Sequence, residues 1–276
     1  MSNWFITGVS SGLGFAIARA AIDAGHCVVG TVRAHDAVGP FEALGEQAIG
    51  MVLDVTDSVA VQRVVSMAEG RTGGLDVVVN NAGAGYTGAI EETPIADAKA
   101  LFDINVWGAL AVIQAVLPGM RARRAGHIVN IGSVSGLACW NGTGIYGASK
   151  FALDCIGRTL AQEVNPLGIN VTNVAPGGMR TQFAASRLPG AEPAITDYAQ
   201  TAHTARPVLT GHFGQEPSDP ALVAQAILTA IAAPEPPLVL LLGTDALGYV
   251  KGEFAMLQAQ FNTWAHLTNG VAAAET

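Results

Sequence analysis

Tyr146 and Lys150 stand four residues apart in Tyr146-Gly-Ala-Ser-Lys150. On a helix that spacing puts both side chains on one face, one turn apart. A phenol with a reference pKa of about 10 is a poor base near neutrality. An ammonium group nearby favours the phenolate and lowers that value, which makes Tyr146 a usable proton donor or acceptor. By itself the pair is a weak signal, since Tyr and Lys meet at this spacing on many ordinary helices. Ser133, in Ile131-Gly132-Ser133, ends a short apolar run. Its hydroxyl can donate to a carbonyl oxygen on which charge develops, although a serine in such a place is often only a cap or turn residue.

Chemistry of this kind needs a partner, and the glycines indicate where it would lie. The chain holds 33 glycines in 276 residues, about 12% against a usual ~7%. One cluster, Gly8-Val9-Ser10-Ser11-Gly12-Leu13-Gly14, falls between a strand-like run and a helix-like one. Glycines there allow a tight turn and close approach of a ligand, while the helix start offers N–H groups and partial positive charge to a pyrophosphate. A second cluster is Asn80-Asn81-Ala82-Gly83-Ala84-Gly85, where small residues leave room beside a flat ligand and asparagines tie loop backbone. A third is Pro176-Gly177-Gly178. Each could be an ordinary turn; together they fall where open α/β sheets bind ligands, at the carboxyl ends of strands.

The elements that must carry these residues can be read from the apolar runs. Strands are expected at Trp4–Thr7, Cys27–Val32, Ile49–Leu53, Val77–Val79, His127–Ile131, Ile169–Val174 and Leu238–Leu242. Most are unbroken apolar runs, as in strands covered on both faces. Helices are expected at Leu13–Ala24, Ser58–Glu69, Lys99–Arg124, Tyr146–Glu163 and Asp219–Ala232. Such alternation predicts α/β architecture with a doubly wound parallel sheet of about seven strands. With no long linker, residues 1–276 read as one domain, with a flap at about 180–217, marked by Pro189, Pro193, Pro207 and Pro217, and a terminal helix over Ala246–Leu267.

Composition narrows the classes. Half the residues are hydrophobic and 13% charged, which excludes a disordered chain. The net charge of −8 argues against a nucleic-acid partner. Three scattered cysteines give no disulfide framework, and the six histidines show no metal-ligand spacing, so no metal site is assigned. The longest charge-free apolar stretch, Ile104–Met120, holds Asn105, Gln114 and Pro118 and falls short of the ~20 residues of a span, so a buried helix and no membrane is the expectation. The opening residues lack a basic n-region, so a cytoplasmic location is expected.

Taken in order, Thr7-Gly8-x3-Gly12-x-Gly14, Asp54, Asn80-Asn81-Ala82-Gly83, Asn105, Ser133, Tyr146-x3-Lys150 and Pro176-Gly177-x3-Thr181 resemble the short-chain dehydrogenase/reductase family. The resemblance spans roughly residues 3–245. It implies a Rossmann-type sheet and reversible hydride transfer between a nicotinamide and a carbonyl/alcohol pair. In that family's terms Tyr146 is the general acid in reduction and base in oxidation, Lys150 lowers its pKa and holds the nicotinamide ribose, and Ser133 polarises the carbonyl. Asn105 anchors a water that relays protons through Lys150. Gly8, Ser10, Ser11, Gly12, Leu13 and Gly14 form the cofactor loop, and Asp54 and Val55 sit by the adenine. Asn81, Ala82 and Gly83 line the cofactor, and Pro176, Gly177, Met179 and Thr181 hold the carboxamide. The resemblance also implies a homodimer or homotetramer, built through the long helices.

No carboxylate ends the second strand, Val28-Val29-Gly30-Thr31-Val32, and Arg33 follows at once. Arg33 can pair with a 2′-phosphate and Ser11 can add a hydrogen bond, so NADP(H) is favoured over NAD(H); Asp36 nearby keeps NAD(H) open. The substrate region is expected from Ala84–Ile90, Gly136–Ile145 and the flap, which offer Tyr86, Leu137, Cys139, Trp140, Phe183, Leu188 and Tyr198 besides Met179. That set suits a hydrophobic ketone or secondary alcohol, while Arg180, Arg187 and Arg206 keep an acidic one open. The competing class is a nucleotide-sensing regulator that kept the fold and lost the chemistry.

Overall fold

A computed structural model describes residues 1–184, 188–192 and 194–271; Arg187 and Pro193 lie outside the described residues. Seven strands form one parallel sheet: β1 (Asn3–Thr7), β2 (Cys27–Val32), β3 (Ala48–Val52), β4 (Val77–Asn80), β5 (Gly126–Ile131), β6 (Ile169–Pro176) and β7 (Val239–Leu242). Their order is β3-β2-β1-β4-β5-β6-β7, so the strand order reverses between β1 and β4. That is the crevice where a doubly wound sheet takes a dinucleotide.

Both faces are covered, which is why the strands read as continuous apolar runs. Phe5 and Val29 point into a core shared with α3 (Ser58–Thr72), α5 (Ala109–Arg123) and α6 (Gly144–Val164), through Val61, Val112, Ile113 and Leu160. Trp4, Ile6 and Val28 point the other way, onto Ile17 of α1 (Gly12–Asp23) and Val223 and Ile227 of α8 (Pro220–Ile231). Each such fully buried side chain contributes roughly 1.5–3 kcal/mol. Asp57 starts α3 by accepting from the Ala60 N–H at 2.9 Å, and Asp219 starts α8 in the same way at Ala221.

The helix expected at Lys99–Arg124 begins earlier and is not uniform. It runs as α4 (Ile95–Phe102), a π-helical stretch over Asp103–Gly108, and α5. By length and composition the continuous 29-residue helix Ile95–Arg123 would suffice to cross a membrane; here Val112, Ile113, Val116 and Met120 pack it into the core. Two short helices have no periodic signal long enough to read: α2 (Val38–Glu42) and α7 (Ala205–Gly211). The chain closes with α9 (Thr244–Gly270), longer at both ends than expected.

Candidate active site

The first glycine loop is built for close approach. Gly8 sits at φ +73, a conformation that L side chains rarely adopt, and a Cβ there would lie 3.1 Å from the Ala82 backbone. A Cβ on Gly14 would collide with the Gly8 carbonyl and the Asn81 amide. Asn81 explains the crowding: its Nδ2 donates to Thr7 O at 2.9 Å and Gly8 O at 3.0 Å. Thr7 Oγ1 in turn accepts from the N–H groups of Asn81 and Ala82, each at 3.0 Å. The first and second glycine clusters are therefore one stitched surface. Ser11 is the N-cap of α1 with no side-chain cap bond, and Ser10 is exposed beside it. Leu13 buries its side chain in the core, so only its backbone can serve a phosphate at the helix start. This cradle fits a pyrophosphate.

Asp54, expected beside the adenine, lies outside the end of β3. Its carboxyl is held below its ordinary value by the Thr56 N–H and hydroxyl, with Arg33 a smaller influence. Val55 is a different case from the expectation. Its side chain is buried in the core and Gly108 packs directly against it, so any contact with an adenine must come from its backbone. Arg33 is exposed immediately after β2.

The catalytic candidates meet at the same edge. Ser133 follows β5 and caps the next turn by accepting from the Ser135 N–H at 3.1 Å. Tyr146 and Lys150 come from the first turns of α6. Lys150 is 5% exposed, its Nζ donates to Ile131 O at 2.9 Å, and it stands 5.9 Å from the centre of the Tyr146 ring. Burial pulls the Lys150 ammonium down to about 8. Burial also pushes the Tyr146 phenol up to about 12, with the Ser133 hydroxyl pulling the other way. Burial, and not Lys150, dominates the phenol in the protein by itself: at neutral pH Tyr146 is held as the protonated acid, its ring centre 5.9 Å from Lys150 Nζ.

Asn105 lies in the π-helical stretch, 1% exposed. Its Oδ1 accepts from Ala84 N at 2.8 Å, and its Nδ2 donates to Ala84 O at 2.9 Å and to Ser149 Oγ at 3.0 Å. The side chain is spent on holding the second glycine loop to α6. A water anchored at this residue would have to use its backbone.

The third cluster has a keeper that the sequence did not reveal. Asp245, at the start of α9, accepts from the Gly178 N–H at 2.7 Å, and a Cβ on Gly177 would collide with both of its carboxylate oxygens. Its Oδ1 is buried without a hydrogen-bond partner. Met179 packs partly buried against the core, and Thr181 lies over Gly12, 3.6 Å from where a Cβ would stand, so the flap begins on the first glycine loop. No local pattern marks Asp245 for this role; its contact across 67 residues needs the fold.

This arrangement, with its strand order, is matched throughout by known proteins. The profile of the short chain dehydrogenase family matches residues 3–191. The chain belongs to the short-chain dehydrogenase/reductase family. It is 36% identical over 270 residues to Oxidoreductase BOA17 of Botryotinia fuckeliana, covering 96% of this chain and 97% of that one. It is 36% identical to human retinol dehydrogenase 8 over 84% of this chain and 78% of that protein. A short-chain dehydrogenase from Streptomyces avermitilis superposes with TM-score 0.91 at 36% identity, covering 99% of this chain and 100% of that one. A Burkholderia phymatum member in complex with NAD (TM-score 0.84, 26% identity, 94% and 95% covered) and serine dehydrogenase complexed with NADP+ (0.76, 25%, 87% and 94%) share the fold. The protein is an oxidoreductase of this family, and among its neighbours both nicotinamide cofactors occur.

The segment after Thr181 sends side chains onto Tyr146 and the second glycine loop. Phe183 stacks obliquely on Tyr146, ring centres 5.8 Å apart. Leu188 is 4% exposed, and its Cδ1 would lie 2.7 Å from a Cβ on Gly85. Glu92 moors the segment: its carboxylate accepts from the N–H groups of Ala89, at 3.0 Å, and Ile195, and lies 2.7 Å from His203 Nε2. Of the other expected pocket residues, Tyr86 turns its hydroxyl to Asp97 at 2.9 Å and Tyr198 bonds Glu91. Cys139 is exposed, and Trp140 is 37% exposed. Arg180 donates from Nε to Glu216 O at 2.8 Å. A cavity of about 930 Å³ lies elsewhere, between α1, α8 and the flap, and shares only Gly12 and Thr181 with the residues expected to hold a cofactor. Among the described residues no group of three His, Cys, Asp or Glu side chains could hold a metal ion.

Proposed function

We propose that the protein reduces apolar ketones, and in reverse oxidises the matching secondary alcohols, using NADP(H). The observation that carries the reading is the meeting of Ser133, Tyr146 and Lys150 at the sheet edge occupied by the stitched glycine loops. The nicotinamide, when bound, supplies the hydride for reduction and accepts it in oxidation. The Ser133 hydroxyl donates to the carbonyl oxygen and stabilises the charge that gathers there. Tyr146, protonated at neutral pH, delivers its proton to that oxygen, and the Lys150 cation stabilises the phenolate left behind. Lys150 Nζ, fixed on Ile131 O, is held at the depth this requires.

Two observations support the finer choices. Arg33 stands exposed at the end of β2 in place of the carboxylate that would bind a ribose 2′-hydroxyl, which favours a 2′-phosphate. Phe183 and Leu188 lay apolar surface beside Tyr146 and Gly85, which favours an apolar substrate. The three cysteines are unpaired thiols, in keeping with a cytoplasmic enzyme. The test is oxidation of NADPH and NADH by purified protein across a panel of ketones, aldehydes and keto acids, with Tyr146→Phe alongside. The expected result is NADPH-dependent reduction of apolar ketones that falls by about 10²–10⁴ in the variant, with NADPH still bound. A fully active variant overturns the role of Tyr146; NADPH binding without turnover of any carbonyl indicates the sensor.

A further inference from the structure

Among the described residues, helix α9 buries side chains only near its start. Ala246 and Val250 are buried, and beyond them no residue of the helix is. Most of its large apolar residues nonetheless share one stripe, with Tyr249, Met256 and Leu267 lying off it. Leu247, Val250, Phe254, Leu257, Phe261, Trp264, Thr268 and Val271 alternate in steps of three and four, with a single polar interruption at Thr268. Steps of three and four over successive turns make a 3.5-residue repeat, the period of a seam that packs against another helix rather than against a sheet. Along this seam Phe254 is 56% exposed, Phe261 64% and Trp264 56%.

We infer that this seam is where a second copy of the chain docks, α9 against α9. Three observations choose that occupant. From Phe254 to Val271 the sequence carries no Asp, Glu, Lys or Arg. Two copies of a protein of net charge −8 repel each other over most of their surface and do not do so here. A helix lying on a membrane would instead line its polar face with Lys and Arg; this one has Gln258, Gln260, Asn262, Thr263, His266 and Asn269. The area is also sufficient. The protein exposes 14034 Å², against roughly 11,200 Å² for a compact monomer of 28.2 kDa. Aromatic side chains offer about 150–250 Å² each, so the three half-exposed aromatics with Leu247 and Val271 present roughly 500–600 Å² per chain. Two copies then bury up to about 1,100 Å², which clears the roughly 1,000 Å² asked of a specific interface.

The contact is isologous, the same seam on both partners, and so closes at two copies along this helix. Because the first turn of α9 carries Asp245, which holds the Gly177–Gly178 turn, the pairing also steadies one wall of the proposed cofactor site. The inference stands on the helix itself and not on the proposed substrate or cofactor.

The test is sedimentation velocity of the full chain at micromolar concentration, wild type against Phe261→Glu and Trp264→Glu. Both side chains are exposed, so the variants are expected to fold, and an unchanged urea transition of the isolated subunit verifies it. The expected result is a wild-type assembly whose mass falls to half in either variant. A monomeric wild type overturns the inference, as does a variant with unchanged mass, which would assign assembly to other surfaces. Flotation of the monomeric wild type with neutral phosphatidylcholine vesicles would likewise overturn it and assign the seam to lipid.

Discussion

Lys150→Met should make the protein more stable and the enzyme inactive. Lys150 is 5% exposed, and burial lowers its pKa from 10.5 to about 8. At 1.36 kcal/mol per pH unit, that drop means that the charged form costs the folded state about 3 kcal/mol near neutral pH. The variant forfeits the hydrogen bond to Ile131 O, a loss of about 1 kcal/mol, while methionine fills a similar volume. The net expectation is a gain of about 2 kcal/mol at pH 7, or roughly 5 °C in Tm for a chain of this size. The sign of the pH dependence follows from proton counting. Between pH 8 and 10.5 the unfolded chain keeps a proton on Lys150 that the folded protein has lost, so the wild type becomes more stable as pH rises and the variant does not. The stability gap therefore closes, and reverses toward about pH 10. Urea unfolding of nucleotide-free wild type and variant at neutral pH and at about pH 9.5 reads the gap directly, and ketone reduction reads the catalytic loss. A variant less stable than wild type at neutral pH, or a gap that does not change with pH, would refute the reasoning.

Two further outcomes are expected. Arg33→Asp should lower the ratio of kcat/KM for NADPH over NADH by roughly 10–100-fold, the worth of a charge-assisted phosphate contact; an unchanged ratio in steady-state kinetics removes Arg33 from cofactor choice. Glu92→Gln should loosen the flap, speeding proteolysis within residues 188–217 and raising substrate KM. In the wild type the Ile195 N–H, with smaller contributions from His203 and the Ala89 N–H, holds the Glu92 carboxyl below its ordinary value. Its mooring is therefore complete above about pH 4.5 and is lost as pH falls through its lowered pKa, whereas the variant's cleavage rate should lack that acid step.

The sheet was legible because parallel strands buried on both faces announce themselves as unbroken apolar runs: Cys27–Val32 was placed to the residue. The edge bearing the site was legible for a related reason, since the glycines mark where backbone must come close. What stayed hidden is what depends on long-range contact. Nothing local says that Thr7 would bond two N–H groups 74 and 75 residues away, that Asn105 would clamp Ala84, or that Asp245 would wedge against Gly177. The sequence shows a lysine four residues from the phenol but not the burial that raises it. The π-helical stretch had a trace, a polar Asn105 beside an apolar run, but one polar residue does not reveal a change of helical period.

One set of polar residues shows how the site is held in register. Asn80, Asn130 and Asn173 occupy paired positions on β4, β5 and β6, in a region otherwise apolar. Asn80 Nδ2 donates to Asn130 Oδ1 at 2.9 Å, and Asn130 Nδ2 donates to Asn173 Oδ1 at 3.0 Å. Asn173 Nδ2 then donates to Asp154 of α6, at 2.8 Å to its backbone oxygen and 3.0 Å to Oδ1. Asp154 Oδ2 lies 2.7 Å from Arg158 at the surface. Apolar side chains would bury as well here, but apolar contact is indifferent to sliding, whereas a chain of directed bonds has one register. Asp154 lies one turn beyond Lys150 and two beyond Tyr146, so fixing it to three strands fixes where those side chains stand along β5 relative to Ser133. Gly157 permits the approach, since a Cβ there would collide with the Asn173 amide. The groups proposed to react thus come from a strand end and a helix start, yet they share a frame because the interior between them is polar and directional.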